Sequence, residues 1–132
     1  MTNKKCAGIA IAVALSTASG CGREERGPVL AGGREVKSWV TDLHDPKPHV
    51  RRTAVLKLGN VGDSDPAAVE GLAEAIGDSD PVVRRSAVSA VAKLSKPSNE
   101  VLARIRIMSE SDSDLHVRDY AKRAIAHFDK AQ

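Results

Sequence analysis

Apolar residues recur along most of this chain at the three- and four-residue spacing of an amphipathic helix. From residue 35 onward the spacing predicts short helices in pairs, with a polar turn between the two helices of each pair. We call the first helix of a pair helix A and the second helix B. Three such units begin at Val36, Val69 and Val101. A repeat of this length predicts a stacked-repeat protein, so residues 35–132 are expected to form one all-α domain of about three helix pairs.

The same residue types occupy equivalent positions in the three units, and this sets their register. Every helix B contains a Val-Arg pair. The three pairs begin at Val50, Val83 and Val117, at spacings of 33 and 34 residues. An alanine follows each pair in register, at Ala54, Ala87 and Ala121. Side chains this small let neighbouring helices approach within about 8–10 Å. The aromatic content of 2% also favours packed helices over a β-sandwich or barrel.

The stretch Gly-Asp-Ser-Asp-Pro occurs twice, at residues 62–66 and 77–81, and could mark an ion site or a helix start. Aspartate before proline is typical of a helix start, because the carboxylate accepts a backbone N–H and proline has none to satisfy. A calcium loop started at Asp63 would place Ala68 where the sharp turn requires glycine. We therefore predict that Asp65 and Asp80 cap helices, and we expect no metal site.

The paired helices, the Asp-Pro turn and the Val-Arg-x-x-Ala pattern of helix B together resemble the short HEAT-like repeats of many bacterial proteins. That family includes the phycobilin lyase group, and the resemblance covers residues 35–132. It implies an α-α superhelix, or solenoid, with the A helices on the convex side and the B helices on the concave side. Lys47 and Leu115 depart from the pattern at positions for an acidic cap and a proline. Arg104 and Lys122 replace apolar residues of the earlier units, so we expect the third unit to be the terminal cap of a whole small domain.

Residues 1–20 have the features of a bacterial export signal. Lys4 and Lys5 precede an apolar run, residues 6–15, that is too short to span a bilayer but fits a signal peptide. The stretch Ala-Ser-Gly-Cys at residues 18–21 resembles the lipobox of bacterial lipoproteins. The resemblance implies lipidation at Cys21 and a membrane-anchored lipoprotein on the periplasmic side of the cell envelope. Ala18 replaces the usual leucine, so ordinary cleavage, with Cys21 left as a free thiol, stays open as the alternative.

Residues 21–34 predict a flexible tether between the membrane and the repeats. They are mixed in charge, contain glycine and proline, and show no hydrophobic periodicity. A segment of this kind cannot bury enough apolar surface to fold alone.

The charge of the chain argues against nucleic acid as a partner. The sequence has 20 basic and 17 acidic residues, for a formal net charge of +3. Loss of Lys4 and Lys5 with the signal peptide would leave the protein nearly neutral. A nearly neutral domain lacks the basic surface that binding to phosphates requires.

No arrangement in the sequence predicts catalysis. The sequence contains neither a Gly-x-Ser-x-Gly elbow nor a glycine-rich phosphate loop before a helix, and the cysteine expected in the mature chain is Cys21. The four histidines lack the spacing of a zinc site: His44, His49, His116 and His127. We therefore expect a monomeric, non-enzymatic protein without a cofactor or metal. The alternative is a bilin-lyase-like enzyme or accessory subunit, which family analogy alone suggests.

The B helices predict both a structural ion-pair row and a binding face. Arg51, Arg84 and Arg118 each lie near a turn aspartate, which predicts ion pairs that brace the turn and the next repeat; an anion-binding ridge is the alternative reading. Trp39 lies at helical spacing and is predicted to pack in the core. Eight residues that the repeat places on the exposed side of the B helices are candidate contacts for an unidentified protein or peptide: His49, Arg52, Leu56, Val82, Arg85, Ser89, His116 and Arg123.

Overall fold

A computed structural model describes residues 28–131 of the chain. A small β-hairpin is followed by three consecutive pairs of α-helices, with a short 3-10 turn at Gly62–Ser64. The elements are β1 Leu30–Ala31, β2 Arg34–Glu35, α1 Val36–Asp42, α2 Pro48–Val61, α3 Pro66–Ala75, α4 Pro81–Val91, α5 Asn99–Ser111 and α6 Leu115–Lys130. The predicted all-α superhelix of three helix pairs is confirmed.

The helices form two layers. The B helices pack in the order α2, α4, α6, each against the next, and every A helix packs on the B helix of its own pair. In the A layer, α1 also packs against α3. Among the helices of residues 28–131, none combines the length and the apolar character needed to cross a membrane.

Small residues let neighbouring helices pack closely, as the sequence predicts. Ala54, Ala87 and Ala121 are fully buried in the core. A Cβ atom on Gly59 would lie 2.9 Å from the Cβ of Ala90, so α2 and α4 could not approach as closely if residue 59 carried a side chain. Gly71 has the same role between α3 and the first pair, because a Cβ there would lie 2.9 Å from Leu43 Cδ1.

The tether prediction over residues 21–34 is wrong at its C-terminal end. Leu30–Ala31 pairs antiparallel with Arg34–Glu35 around two glycines, and Ala31 is buried in the core. The buried Trp39 confirms its predicted core position, and its Nε1 donates a hydrogen bond to the Ala31 carbonyl at 2.7 Å. Arg34 covers the outer face of the same ring, with its guanidinium carbon 4.0 Å from the ring centroid. Residues 28–34 therefore fold with the repeats, because Trp39 offers them an apolar surface that a pattern within the segment itself cannot reveal.

The predicted signal peptide, the lipidation site Cys21 and tether residues 21–27 lie outside the described residues.

Both copies of Gly-Asp-Ser-Asp-Pro start helices, as predicted. The side chain of Asp65 accepts a hydrogen bond from the N–H of Ala67 at 2.9 Å at the start of α3. Asp80 accepts from the N–H groups of Val82 and Val83 at the start of α4, at 2.8 and 3.1 Å. Helix α2 differs, because Lys47 occupies its N-cap and makes no capping hydrogen bond.

We expect Lys47→Asp to raise the free energy of unfolding by about 0.5–1 kcal/mol, since an aspartate there can cap α2 and favours the helix N-terminus electrostatically. The backbone is already suitable: residue 47 has φ −89° and ψ 118°, against −88° and 126° at the capping Asp80. Urea denaturation would measure the gain. Lys47→Ala is the control, because it removes the cation without adding a cap; equal stabilisation by both substitutions would contradict this explanation.

Candidate functional site

Two arginines of the B helices join successive repeats through paired hydrogen bonds. Arg51 donates from Nε and Nη2 to the two carboxylate oxygens of Asp78, both at 2.8 Å. Arg84 makes the same pair of bonds to Asp112, at 2.9 and 2.8 Å. The remaining Nη1 atoms donate to backbone carbonyls of their own turns, Arg51 to Asp45 and Arg84 to Asp78, each at 2.9 Å. Each arginine therefore braces its own turn and holds the next repeat.

This arrangement confirms the bracing function and corrects the pairing. The sequence places Arg51, Arg84 and Arg118 beside aspartates of their own turns, whereas the carboxylates come from the following repeat. The reason is geometric. Each of the two arginine side chains points along the stack, so the carboxylate within its reach belongs to the turn of the next repeat. Arg118 donates to the Asp112 carbonyl and, within residues 28–131, forms no ion pair.

The paired carboxylates should make stability depend on pH. Burial alone would raise the pKa of Asp112, but hydrogen bonds from Arg84 and from the Asp114 N–H, with the nearby arginine charges, lower that pKa further than burial raises it. The pKa of Asp78 is lowered in the same way, against its burial, by Arg51 and by the Asp80 N–H.

We expect the free energy of unfolding to fall as the pH is lowered below about 4. A carboxylate with a depressed pKa in the folded state stabilises the protein fully above its unfolded pKa of about 3.9, and that contribution is lost as the pH falls through the folded value. Urea denaturation between about pH 6 and pH 2 measures the decline. The Asp112→Asn variant should show a shallower decline; a curve parallel to that of the unchanged protein would contradict the assignment to this group.

The predicted binding residues do lie on the B helices, and the structure brings most of them into two groups. We call the outward side of α2, α4 and α6 the B face. His49, Arg52 and Val82 line one depression of about 200 Å³ between the beginnings of α2 and α4. Ser89 and Arg123 line a second, of about 210 Å³, between α4 and α6. The other three predicted residues are Leu56 and His116, which are exposed, and Arg85, which is half-buried.

Tyr120 belongs to this face and was missed by the sequence analysis. It lines the depression between α4 and α6, with its side chain 38% exposed. The guanidinium carbons of Arg85 and Arg123 lie 5.6 and 5.8 Å from its ring centroid, within the distance of a cation–π contact. One signal could have found it: Tyr120 stands in register with Thr53 and Ser86, where the first two repeats have short hydroxyl side chains.

The B face carries arginines that differ from the bracing arginines in their partners. Within the described part of the chain, Arg52, Arg85 and Arg123 take part in no ion pair, whereas Arg51 and Arg84 each pair with one carboxylate. Because a guanidinium is charged at every physiological pH, these three side chains give the face a permanent positive charge.

A third depression lies on the other side of the molecule. It opens between α3, α4 and α5, has a volume of about 300 Å³, and has mainly apolar walls. Ile107, 63% exposed, and Met108 form one wall, while Ile76 of the α3 end forms the other. Arg84 and Asp112, the inter-repeat ion pair, also line it. This depression depends on the distance between α5 and α3, which the pattern of a single helix does not contain, so it was not predicted from the sequence.

The histidines are spread over the surface. His44 Nδ1 lies 3.8 Å from a Glu74 carboxylate oxygen, and both side chains are well exposed. His49 and His116 are exposed at the beginnings of α2 and α6. Over residues 28–131, no three histidine, cysteine or acidic side chains are grouped as metal ligands would be.

Comparison with known sequences agrees with the repeat architecture. A family model described as HEAT repeats matches residues 36–126, from the first residue of α1 into α6. No curated protein matches the chain.

Proposed function

Because the chain belongs to the HEAT-repeat family, we propose that its repeats bind a protein or peptide partner on the B face while Cys21 anchors the protein to a membrane of the bacterial cell envelope. HEAT repeats generally mediate protein–protein interaction, and proteins of this family typically act as non-catalytic scaffolds. The proposal places this general function on one surface of this chain.

The proposal is supported by the difference between two sets of arginines on the B helices: one set forms ion pairs between repeats, and the other is exposed without an ion pair in the described residues. Arg51 and Arg84 are half-buried and bound to carboxylates, so they hold the repeats together. Arg52 on α2 and Arg123 on α6 lie outward instead. Arg52 lines a depression with the exposed Val82, and Leu56, one turn further along α2, is also exposed. Arginine and exposed apolar side chains next to each other are typical of a protein-binding surface.

Photo-crosslinking in envelope membranes tests the binding face. A photoreactive p-benzoylphenylalanine in place of Ser89, at the centre of the B face, should produce a discrete crosslinked partner that mass spectrometry identifies. The same group in place of Ala103, an exposed position on α5 in the A layer, is the control. Equal adducts from both positions, or none from Ser89, would refute the assignment of this face.

Membrane anchoring through Cys21 is a separate part of the proposal, and the lipobox-like residues 18–21 support it. Intact-mass analysis of the native protein should show the loss of residues 1–20 and the mass of attached lipid on Cys21. Cys21→Ser should move the protein from the membrane fraction to the soluble fraction. A mature chain that begins at Cys21 without added lipid would establish ordinary cleavage instead.

A further inference from the structure

We propose that the partner presents an acidic peptide segment to the α4–α6 end of the B face. Its carboxylates pair with Arg85 and Arg123, which both contact Tyr120, and an adjacent apolar side chain enters the depression between the helices. This inference rests on the proposed function and specifies the chemistry of the ligand.

The two arginines have unused hydrogen-bonding capacity. Within residues 28–131, neither Arg85 nor Arg123 forms an ion pair, although Arg84 beside them is fully engaged with Asp112. A guanidinium has five N–H donors in a planar fork that matches a carboxylate. A carboxylate from outside the chain would give these two groups the same kind of partner that Arg84 has inside it.

Tyr120 contacts both guanidinium groups. Arg85 belongs to α4, and Arg123 belongs to α6 one turn beyond Tyr120, so the aromatic ring holds cations from two helices on one site. Cation–π contact restricts the arginine side chains without consuming their in-plane donors. The pair is therefore partly ordered before a ligand arrives, which lowers the entropy cost of binding.

An apolar depression lies beside these groups. Val88, Ala92 and Ala124 contribute small apolar side chains to its lining, and Tyr120 and Arg123 stand at the same opening. Its volume is about 210 Å³, and because it is open to solvent, water fills it in the free protein. Release of that water favours an aliphatic side chain of the ligand rather than a second charge.

The pattern of charge favours a short peptide over nucleic acid. Asp119 occupies the position that Arg52 and Arg85 hold in the first two repeats, so the cations do not continue as a row across the B helices. A phosphate backbone needs such a continuous row, and unpaired bases need several aromatic platforms. Tyr120 supplies one platform at one end of the face.

A fluorescent peptide of repeating Glu-Glu-Leu units tests the inference with the native full-length protein. Fluorescence anisotropy should show saturable binding that weakens as salt rises from about 50 to about 300 mM, because screening reduces charge attraction. A peptide of Gln-Gln-Leu units should bind at least about tenfold more weakly. Single-stranded oligo(dT) of equal charge distinguishes carboxylate from phosphate recognition.

Two variants of α6 form a matched pair for this experiment. Arg123→Glu should weaken Glu-Glu-Leu binding by about tenfold, since it reverses the charge at the site. Lys122→Glu changes the net charge by the same amount at the adjacent exposed position, which does not line the depression; its effect should stay within about twofold. Arg123→Gln removes the charge without reversing it and should also weaken Glu-Glu-Leu binding. Thermal unfolding followed by circular dichroism checks that the variants are folded.

Three results would overturn the inference: equal binding of the Glu-Glu-Leu and Gln-Gln-Leu peptides, equal losses from Arg123→Glu and Lys122→Glu, or tighter binding of oligo(dT) through the same arginine. None of these would by itself remove the proposed function. A partner crosslinked at Ser89 that lacks an acidic segment would leave protein binding on the B face standing and refute only the acidic ligand.

Discussion

Replacing Leu58 by alanine is expected to lower the free energy of unfolding by about 3 kcal/mol. Leu58 is 0% exposed in α2 and lies at the meeting point of the first two repeats, where its Cδ1 would be 3.3 Å from a Cβ on Gly71. The substitution removes the transfer free energy of the side chain and leaves a cavity that helices on both sides cannot fully close, a combination that costs about 2–5 kcal/mol in other cores.

Leu56→Ala is the matched control for this prediction. Leu56 lies on the same helix and undergoes the same chemical change, but it is 46% exposed. Its loss should change the free energy of unfolding by less than about 0.5 kcal/mol. Urea denaturation of both variants measures the difference. Similar losses from the two substitutions would contradict packing between repeats as the cause, since alanine favours a helix at least as well as leucine.

Asp112→Ala is expected to destabilise the protein by about 3 kcal/mol, a loss comparable to that of a core leucine. Its side chain is 7% exposed, and it accepts two hydrogen bonds from Arg84 and one from the N–H of Asp114. Alanine would leave the Arg84 guanidinium, itself 13% exposed, without its counter-ion. Breaking a buried pair from one side typically costs about 3–5 kcal/mol, because a charge stays desolvated and uncompensated.

A double-mutant cycle separates the pair from its surroundings. We expect Arg84→Ala and Asp112→Ala to couple by about 1–3 kcal/mol, so the double variant should be less destabilised than the sum of the single variants. Arg118→Ala is the control, because Arg118 holds the equivalent position in α6 and forms no ion pair within residues 28–131; it should cost about 1 kcal/mol. Strict additivity in the cycle would show that the two side chains stabilise the fold independently.

Leu58 lies at the joint between the first and second repeats, and the Arg84–Asp112 pair lies at the joint between the second and third. Leu58 contributes apolar contact in the interior of the stack, whereas Arg84 and Asp112 join the turns at one end of the helices. Repeat proteins are held together through such nearest-neighbour interfaces. Loss of either contact should therefore weaken the whole domain and not only the repeat that carries the substitution.

The B face shows where reasoning from sequence succeeded and where it stopped. Extrapolation of the repeat placed Arg52 and Arg123 correctly on the outward side of helix B, because a helical period assigns each residue to a side. It did not assign Tyr120 to a site: the register with Thr53 and Ser86 singles the residue out, but its contact with Arg85 on a neighbouring helix gives it a role. Contacts of that kind depend on the offset between helices, which a single-helix pattern does not contain.

The amino-acid sequence by itself determined the repeat, the helix pairs, their aspartate caps and the buried alanines, because all of these follow from spacing and from chemistry within a few residues. The tertiary structure alone decided three further features. Arg51 and Arg84 pair with the carboxylates of the next repeat. Ala31 and the hairpin pack on Trp39. Depressions lie beside Tyr120 and Ile107. Each of these depends on the distance and rotation between neighbouring helices, which are set by packing across the whole stack rather than by any local segment.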